Sequence, residues 1–341
     1  MTSSTTCAPG GKNETVRPTV SVCLPTSRGP EFTTKALSSI LCQKLDDLEV
    51  LVGDETGESE ATVEAAGDPR VDYRRNPRRL GYGDNHVALL DRARGRYLAI
   101  LHDDDWWEQT YLSTIAAILD AEPSVGVACC DVRRNMGDGT GPEGRWPIPL
   151  APGRNENVLE LLLCEEWFLL PSATMFRREV WEGPARQWQS DLHTTELQLY
   201  LSAAEAGWAF YYLPKPLVHW VQHEGQSSFH RQPDYGLAMA EDVLQFWARW
   251  LKGRPVNLTE ATSHQRAKVQ LRRARALILL NRRKEAREAL AEAAALEGPD
   301  LPGLRRIAFA ARLPAPLLQV GLGAKRTAQR AAPTLLDRLR R

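Results

Sequence analysis

The first part of the chain alternates between short apolar runs and longer amphipathic stretches. The runs Thr19–Pro25, Leu48–Asp54 and Tyr97–Leu101 have the length and composition of buried strands. Between them, Glu31–Gln43 and Asp84–Arg94 repeat apolar residues at helical spacing. Strands that alternate with helices of this length predict an α/β fold, in which a doubly wound, mostly parallel sheet carries helices on both faces.

Shorter patterns extend the predicted sheet. Val71–Arg75 and Val125–Asp131 predict two further strands, and Ala209–Leu213 and Leu217–Gln222 predict two more. Gly95 follows the second amphipathic helix and is predicted to be its C-terminal cap, because glycine commonly ends helices in this way.

The character of the chain changes twice, which predicts its division into domains. Residues 1–17 are polar and rich in Ser, Thr and Gly, and they predict a disordered lead-in. Residues 18–233 carry the α/β pattern. Residues 234–341 are rich in Ala, Leu and Arg, and within them Val269–Leu296 predicts a helical hairpin that turns at Asn281. The last part is therefore expected to be an all-helical appendage.

A formal net charge of zero conceals two oppositely charged parts. Residues 263–341 contain 18 Lys and Arg against 6 Asp and Glu, a net charge of +12, so the preceding residues carry −12. We expect the basic helices to pack on the main domain or to form a homodimer interface. Contact with an anionic membrane surface is the alternative, and nucleic acid is not expected as a partner.

Cysteine usage and hydropathy bear on the compartment. The six cysteines include no CxxC pair and no metal-ligand spacing, which favours buried thiols in a reducing environment. No uninterrupted apolar run reaches the roughly 18 to 20 residues that span a bilayer. A cytoplasmic location is therefore expected, either free or peripheral at the inner membrane face.

Acidic residues follow two of the predicted strands. Asp54 ends one strand, and Asp103, Asp104 and Asp105 come directly after another. Because open parallel sheets bind ligands beyond the carboxyl ends of their strands, these carboxylates are expected to converge on one crevice. Neighbouring carboxylates raise one another's pKa unless a positive charge intervenes, and Mg²⁺ or Mn²⁺ with a nucleotide diphosphate would supply it. The alternative is a solvated acidic turn that caps the helix beginning near Thr110.

Four segments follow one another along the chain in a recognisable order: VSVCLPT, LEVLVGDET, GYGDNHVALLDRARGRY and ILHDDDWW. This order resembles that of the family-2 glycosyltransferases, which have the GT-A fold. The resemblance covers Pro18 to Arg231 and implies a nucleotide-sugar half at about 18–131 and an acceptor half at about 132–233. It implies a metal-dependent transfer of a sugar from a nucleotide diphosphate sugar to an acceptor hydroxyl, on a natural product or a surface glycan, with inversion at the anomeric carbon.

For the donor, the resemblance implies that Pro25, Thr26 and Asp54 border the nucleotide base, and that the Asp54 carboxylate accepts a base N–H. Asn76 and Gly81 belong to the same nucleotide-sugar side. A helix N-cap is the alternative role for Asp54.

For the divalent metal, Mn²⁺ or Mg²⁺, the resemblance aligns Asp104 with the usual ligand. Asp103 or Asp105 would assist. Family members commonly have a histidine after the last strand that approaches the metal or the diphosphate, and His223 stands at that place. His102 stands where the family usually has the first aspartate of its Asp-x-Asp motif, so it is open which of these groups contacts the ribose.

For the transfer itself, the resemblance places a general base at the start of the helix TTELQLYLSAAEAGW, where Glu196 is the carboxylate present and Thr195 replaces a second acid. Asp191 is the rival for this role. Trp106 and Trp107 either stack on a sugar ring or pack in the core.

Two other functions remain open. Nucleotidyltransferases also combine a doubly wound sheet with metal-binding aspartates, although no Gly-rich loop with a following Lys comes after the first strand here. A nucleotide-sugar-binding protein with a degenerate catalytic site is the second alternative, because His102 and Thr195 stand where acids are expected.

Overall fold

The computed structural model describes residues 17–136, 144–165, 168–183, 191–192, 195–222 and 233–312. The predicted disordered lead-in therefore lies outside the described residues except for Arg17, and so does the end of the basic segment from residue 313 onwards.

Within the described residues, ten strands form one sheet with helices on both faces, which confirms the predicted α/β fold class. Their bounds are β1 Val20–Thr26, β2 Leu48–Asp54, β3 Val71–Arg75, β4 Tyr97–Ile100, β5 Trp106–Trp107, β6 Val125–Met136, β7 Gly144–Arg145, β8 Gly153–Asn155, β9 Thr174–Arg177 and β10 Ala209–Gln222. The order across the sheet is β3-β2-β1-β4-β9-β6-β10-β5, with β7 paired to β6 and β8 paired to β10. Strands β1 to β4 are parallel, and β9 runs antiparallel between β4 and β6.

Helices cover both faces of this sheet and also form the C-terminal part. Their bounds are α1 Pro30–Leu41, α2 Glu60–Ala66, α3 Tyr82–Arg92, α4 Tyr111–Ala121, α5 Val158–Cys164, α6 Arg178–Glu182, α7 Thr195–Glu205, α8 Pro233–Trp250, α9 Val256–Ala261, α10 Ser263–Leu279, α11 Arg283–Glu297 and α12 Leu304–Ala310. A short 3₁₀ turn at Pro171–Ala173 precedes β9.

Alternate residues of β1 point to opposite faces of the sheet, so two apolar cores form. Val22 and Leu24 belong to the core that includes residues of α1 and α4, whereas Cys23 belongs to the core that includes residues of α3, α5, α7 and α8. A third core holds α10, α11 and α12 together, and Leu237 of α8 belongs to it although Trp247 of the same helix belongs to the main core. Helix α8 therefore joins the α/β sheet to the C-terminal helices.

The order of the strands reverses at β1. Strands β2 and β3 lie on one side of β1, and β4 lies on the other. Such a switch point opens a crevice at the carboxyl ends of the two strands. Residues 27–28 follow β1 and residues 101–105 follow β4, so this crevice is where the candidate site forms.

The C-terminal prediction of a helical hairpin is confirmed. Helices α10 and α11 pack against each other, and Asn281 between them has a φ of +61°, a left-handed conformation that Asn tolerates. Within the described part of the chain, no helix combines the length and apolar character needed to cross a membrane.

Two local predictions were wrong. The region 209–222 is one bent strand, β10, rather than two, because the pairing with β6 continues across Pro214 and Pro216 with register shifts at the prolines, which donate no N–H. Helix α3 ends at Arg92, two residues earlier than predicted, and Gly95 is not its cap. A Cβ on Gly95 would lie 2.3 Å from the backbone nitrogen of Ser21, so close packing against β1 requires the glycine.

Candidate functional site

The loop after β4 is fixed to the loop after β1 by Asp103. Its Oδ2 accepts hydrogen bonds from the backbone N–H groups of Ser27 at 2.9 Å and Arg28 at 3.0 Å. Its Oδ1 accepts from the Arg28 guanidinium. The side chain of Asp103 is buried, so this carboxylate holds the floor of the crevice in place.

Arg28 supplies positive charge to the aspartates. Its Nη1 also lies 3.2 Å from Oδ2 of Asp104, and its side chain is only 19% exposed. Burial works to lower the pKa of Arg28, but the carboxylates of Asp104 and Asp103 raise it above its ordinary value. The countercharge that the aspartates require thus comes, in this structure, from an arginine that the sequence analysis did not identify.

Asp105 faces the opposite side of the crevice. Ser172 donates its hydroxyl to Oδ2 at 2.5 Å, and the backbone N–H of Val221 donates to Oδ1 at 3.2 Å. Burial, with the neighbouring charge of Asp104, raises the pKa of Asp105 well above its usual range. These contacts tie the loop after β4 to the turn before β9 and to β10.

Glu196 lies in the first turn of α7 and is only 8% exposed. The hydroxyl of Tyr82, on α3, donates a hydrogen bond to its carboxylate, and the Nε2 atom of His102 lies 3.8 Å from Oε1. Burial raises the pKa of Glu196 to about 7, although the bond from Tyr82 works to lower it. The carboxylate can therefore take up a proton near neutral pH, as a general base must.

Asp191 is placed differently. Its side chain is 59% exposed, and it forms an ion pair with Arg249 of α8 at 2.8 Å. Of the two carboxylates that the sequence analysis weighed as the base, only Glu196 is brought beside His102, which adjoins the aspartates.

Two histidines lie beside Glu196, His86 fully buried and His102 with a side chain that is 22% exposed. The Nε2 atom of His102 is 3.0 Å from the Tyr82 hydroxyl, and its ring packs edge-on against His86 with centroids 5.6 Å apart. Burial lowers the pKa of both rings, to about 3 for His86. Both imidazoles are therefore neutral at physiological pH.

At the end of β2, the Asp54 carboxylate is bound by its own chain. The backbone N–H groups of Thr56 and Gly57 both donate to Oδ1 at 2.9 Å. Oδ2 accepts from the backbone N–H of Ser59 at 2.8 Å and from the hydroxyl of Tyr73 at 3.0 Å. A base N–H would have to replace one of these donors. Asp54 is not the N-cap of α2, which is Ser59, but its carboxylate fixes the turn that leads into this helix.

Asn76 and Gly81 are brought together by a residue that the sequence analysis passed over, Glu55. Its Oε1 accepts from the Asn76 side-chain amide at 2.6 Å, and its Oε2 accepts from the Gly81 backbone N–H at 3.1 Å. The Asn76 amide also donates to Asn85 of α3 at 3.1 Å. These hydrogen bonds hold the segment from Asn76 to Gly81, expected on the nucleotide-sugar side, against the start of α3.

Thr26 ends β1 and is fully buried, with its Oγ1 accepting from the Ser59 hydroxyl at 3.0 Å. Pro25, beside it, is partly exposed and lies opposite Gly53 in the pairing of β1 with β2. Both residues lie at the carboxyl end of β1, where the nucleotide base was expected.

The two tryptophans after the aspartates pack against protein. Trp107 is 2% exposed and donates its Nε1–H to the Ser172 carbonyl at 2.6 Å, a placement in the core. Trp106 is stacked on His219 with ring centroids 3.3 Å apart, and Lys35 lies over the same indole. His223, the expected metal-approaching histidine, lies outside the described residues.

The residues fit a divalent cation by their chemistry. His102, Asp104 and Asp105 each offer a ligand atom, all within 4.8 Å of one another. Carboxylate oxygens with one imidazole nitrogen are a donor set that Mn²⁺ accepts, and Mg²⁺ less readily. A cation at Asp104 would compete with Arg28 for the same negative charge.

Comparisons with known proteins show which family and which solved structures this chain is similar to. Residues 21–183 match the profile of the family described as Glycosyl transferase family 2. A 176-residue stretch is 31% identical to the uncharacterized protein MT1568 of Mycobacterium tuberculosis, covering 48% of this chain and 55% of that one. A 104-residue stretch is 28% identical to the putative colanic acid biosynthesis glycosyl transferase WcaA of Escherichia coli, covering 29% of this chain and 37% of that one. The chain thus spans about half or less of these curated relatives.

Among solved structures, the fold is similar to the mannosyltransferase PcManGT of Pyrobaculum calidifontis, in complex with GDP-Man and Mn²⁺. The TM-score is 0.54 at 20% identity, with 91% of this chain and 81% of that chain covered. Residues 1–349 of TarS from S. aureus give a TM-score of 0.52 at 13% identity, with 84% and 91% covered. These similarities show the GT-A fold.

Proposed function

Because residues 21–183 match the profile of glycosyl transferase family 2, we propose that the protein transfers a sugar from a nucleotide diphosphate sugar to an acceptor hydroxyl, with inversion at the anomeric carbon. The observation that carries this proposal is the position of Glu196. A buried carboxylate with a pKa of about 7 lies 3.8 Å from His102, whose ring adjoins Asp104 and Asp105. A proton acceptor therefore faces the region suited to the donor diphosphate.

The described residues have distinct roles in this reaction. Glu196 takes the proton of the acceptor hydroxyl as its oxygen bonds to the anomeric carbon, while the bond from that carbon to the diphosphate oxygen breaks. Tyr82 is a positioning residue, because its hydroxyl donates to Glu196. The attack from the side opposite the leaving group inverts the anomeric carbon without a covalent enzyme intermediate.

A divalent cation would be held by Asp104, with Asp105 and His102 beside it. Bound there, it would neutralise charge on the departing diphosphate. Asp103 keeps Arg28 at the same crevice, and the guanidinium is placed to pair with phosphate oxygens once it leaves the aspartates.

The relatives suggest which donors and acceptors to test. PcManGT is described with GDP-Man and Mn²⁺, and TarS 1–349 with UDP-GlcNAc, so GDP- and UDP-sugars are the first candidates. The relative WcaA is named for colanic acid biosynthesis, which supports a surface glycan as acceptor. A small natural product is the other acceptor class.

A nucleotide-sugar-binding protein without transfer activity is the second candidate function. The observation that favours it is the pairing of Arg28 with both Asp103 and Asp104, which satisfies the aspartates without a cation. Slow, metal-dependent hydrolysis of the donor would exclude this function.

The basic C-terminal helices support a proposed contact with an anionic membrane or with a second copy of the chain. Phe309 on α12 is 62% exposed and is close in sequence to Arg305 and Arg306. An apolar side chain among arginines suits the boundary of an anionic bilayer. Vesicle flotation of the wild type is compared with that of F309D and of a chain without residues 325–341, since an unchanged distribution in both variants would exclude a membrane role for these segments. On this proposal the protein is located in the cytoplasm, at the inner membrane face.

The transfer itself is tested with E196Q and a matched carboxylate variant, D191N. With metal and a nucleotide sugar, the wild type is expected to release a nucleoside diphosphate and no pyrophosphate, which separates it from nucleotidyltransferases. E196Q should lose on the order of 100-fold or more in rate, the usual contribution of a general base, whereas D191N should retain it. An equal loss in both variants would contradict the role of Glu196.

A further inference from the structure

We propose that His86, His102 and Glu196 form a binding site for a transition-metal ion such as Zn²⁺, and that an ion bound there removes Glu196 from catalysis. The three side chains offer one ligand atom each, all within 4.8 Å of one another. Two imidazoles and one carboxylate are a common ligand set for such ions.

His86 is prepared for this role by its own helix. Its Nδ1–H donates to the carbonyl of Tyr82 at 2.6 Å, one turn earlier on α3, which leaves the lone pair on Nε2. Metal-binding histidines are typically oriented by a carbonyl in this way. The residue is 1% exposed, and among the described residues Nε2 has no hydrogen-bond partner. A buried polar atom without a partner is costly, so it points to a ligand.

His102 and Glu196 complete the site. Their ligand atoms, Nε2 and Oε1, are already 3.8 Å apart, close to the roughly 3.3 Å that separates ligands around a tetrahedral zinc ion with bonds near 2.0 Å. The hydroxyl oxygen of Tyr82 lies 3.0 Å from His102 Nε2 and also contacts Glu196 Oε1, so it adjoins both of these ligand atoms.

The ligand chemistry separates this site from the aspartate site. Imidazole nitrogens favour Zn²⁺, Co²⁺ and Ni²⁺, whereas Mg²⁺ strongly prefers oxygen and keeps its waters. Excess Mg²⁺ is therefore expected to compete at Asp104 and Asp105, but not at His86. The imidazole of His102 adjoins both groups, which places the proposed site directly beside the donor crevice.

The consequence for activity rests on the proposed function, whereas metal binding does not. A carboxylate whose lone pair is bonded to Zn²⁺ cannot take the acceptor proton. Zn²⁺ bound at this site would then inhibit transfer activity that depends on Mg²⁺ or Mn²⁺.

Co²⁺ is the probe for the test, because a low-coordinate site with nitrogen ligands gives a much stronger visible spectrum than an all-oxygen, six-coordinate site. The full chain, stripped of metal and supplied with excess Mg²⁺, is titrated with Co²⁺. We expect one equivalent to give the strong band. H86N should abolish it, because asparagine can keep a donor towards the Tyr82 carbonyl while removing Nε2. H264N, at an exposed histidine on α10, should leave it unchanged.

D104N distinguishes the two metal sites. The band should persist in D104N, and its loss there with retention in H86N would overturn the proposal. X-ray absorption of the wild type loaded with Zn²⁺ covers the case in which H86N does not fold. Two imidazole ligands are expected, and oxygen-only coordination would overturn the proposal.

In transfer assays, Zn²⁺ should inhibit the wild type but not H86N, whose activity with Mg²⁺ should be normal. If the Co²⁺ band appears but no transfer is found, the proposed function fails and the metal site stands.

Discussion

Arg28 places a guanidinium nitrogen 3.2 Å from the carboxylate of Asp104. The same side chain contacts Asp103, so one arginine balances two buried aspartates at the end of β4. A cation that binds Asp104 must displace or share this partner. On the proposed function, Arg28 would therefore set how tightly a metal ion binds before any nucleotide arrives, and its guanidinium would become available to phosphate oxygens once a metal ion holds the carboxylate of Asp104.

R28Q is accordingly expected to bind Mn²⁺ about tenfold more tightly than the wild type in the absence of nucleotide, since hydrogen bonds to charged groups contribute about 1.5 kcal/mol or more. Calorimetric titration with Mn²⁺ measures this. R74Q, which removes an exposed arginine paired with Asp72, serves as the control and should bind like the wild type. Equal or weaker Mn²⁺ binding by R28Q would show that Arg28 supports the metal site instead of competing for it.

The pH profile of transfer should report Glu196. The base acts only when deprotonated, so kcat/KM should rise with pH and level off above about 7. In Y82F, the hydrogen bond that works to lower this pKa is gone, and the rise should move to higher pH. A Y82F profile that is unshifted, or shifted to lower pH, would contradict the assignment of Glu196.

The free energy of unfolding should also depend on pH through the carboxyl group of Glu196. The folded-state pKa of Glu196, about 7, exceeds its ordinary value of 4.5, so the folded protein binds this proton more tightly than the unfolded chain. The free energy of unfolding should therefore decrease as pH rises from 4.5 towards 7. E196Q should not show this contribution and should be more stable than the wild type at pH 8 by up to about 3 kcal/mol. Urea unfolding at pH 5 and pH 8 measures the difference, and equal effects at both pH values would contradict it.

Alanine substitutions at Gly95 and Gly236 test the close packing of Gly95 against β1, with Gly236 as the control position. G95A should destabilise the protein by about 1–3 kcal/mol or more, because its Cβ would lie 2.3 Å from the backbone nitrogen of Ser21. G236A, in α8 with open space around it, should stabilise by up to about 1 kcal/mol through helix propensity. Urea midpoints compare the two. A G95A protein as stable as the wild type would disprove the close approach of this turn to β1.

Much of the fold was predictable from local sequence. The segments that form β1, β2 and β4 are mainly apolar, although Ser21 and Glu49 interrupt the first two, and the three aspartates come soon after β4 in the sequence. The hydrophobic pattern and the order of the motifs therefore predicted the strands and the acidic loop together. The end of α3 and the single strand β10 were not predictable. Each depends on packing against β1 or on pairing with β6 across prolines, which local preferences do not encode.

The candidate site was only partly predictable for the same reason. Asp103 and Asp104 were identified because they come soon after a predicted strand, and Glu196 because the resemblance places it in a motif. Tyr82 and Glu196 are 114 residues apart, and Arg28 and Asp103 are 75 apart, so nothing local in the sequence reveals either contact. One signal was available: three adjacent aspartates require a positive partner, and Arg28 is the first cation after β1.

The central claim is a metal-dependent nucleotide-sugar site, and thermal shift tests it most directly. The chain would be heated with UDP, GDP, dTDP and CDP and their sugars, with Mn²⁺ or Mg²⁺, before and after addition of a chelator. Ligands that bind the folded state raise the Tm. One nucleotide class should raise the Tm with metal present, and chelator should abolish the shift. No shift with any nucleotide, or a shift that chelator leaves unchanged, would contradict the account.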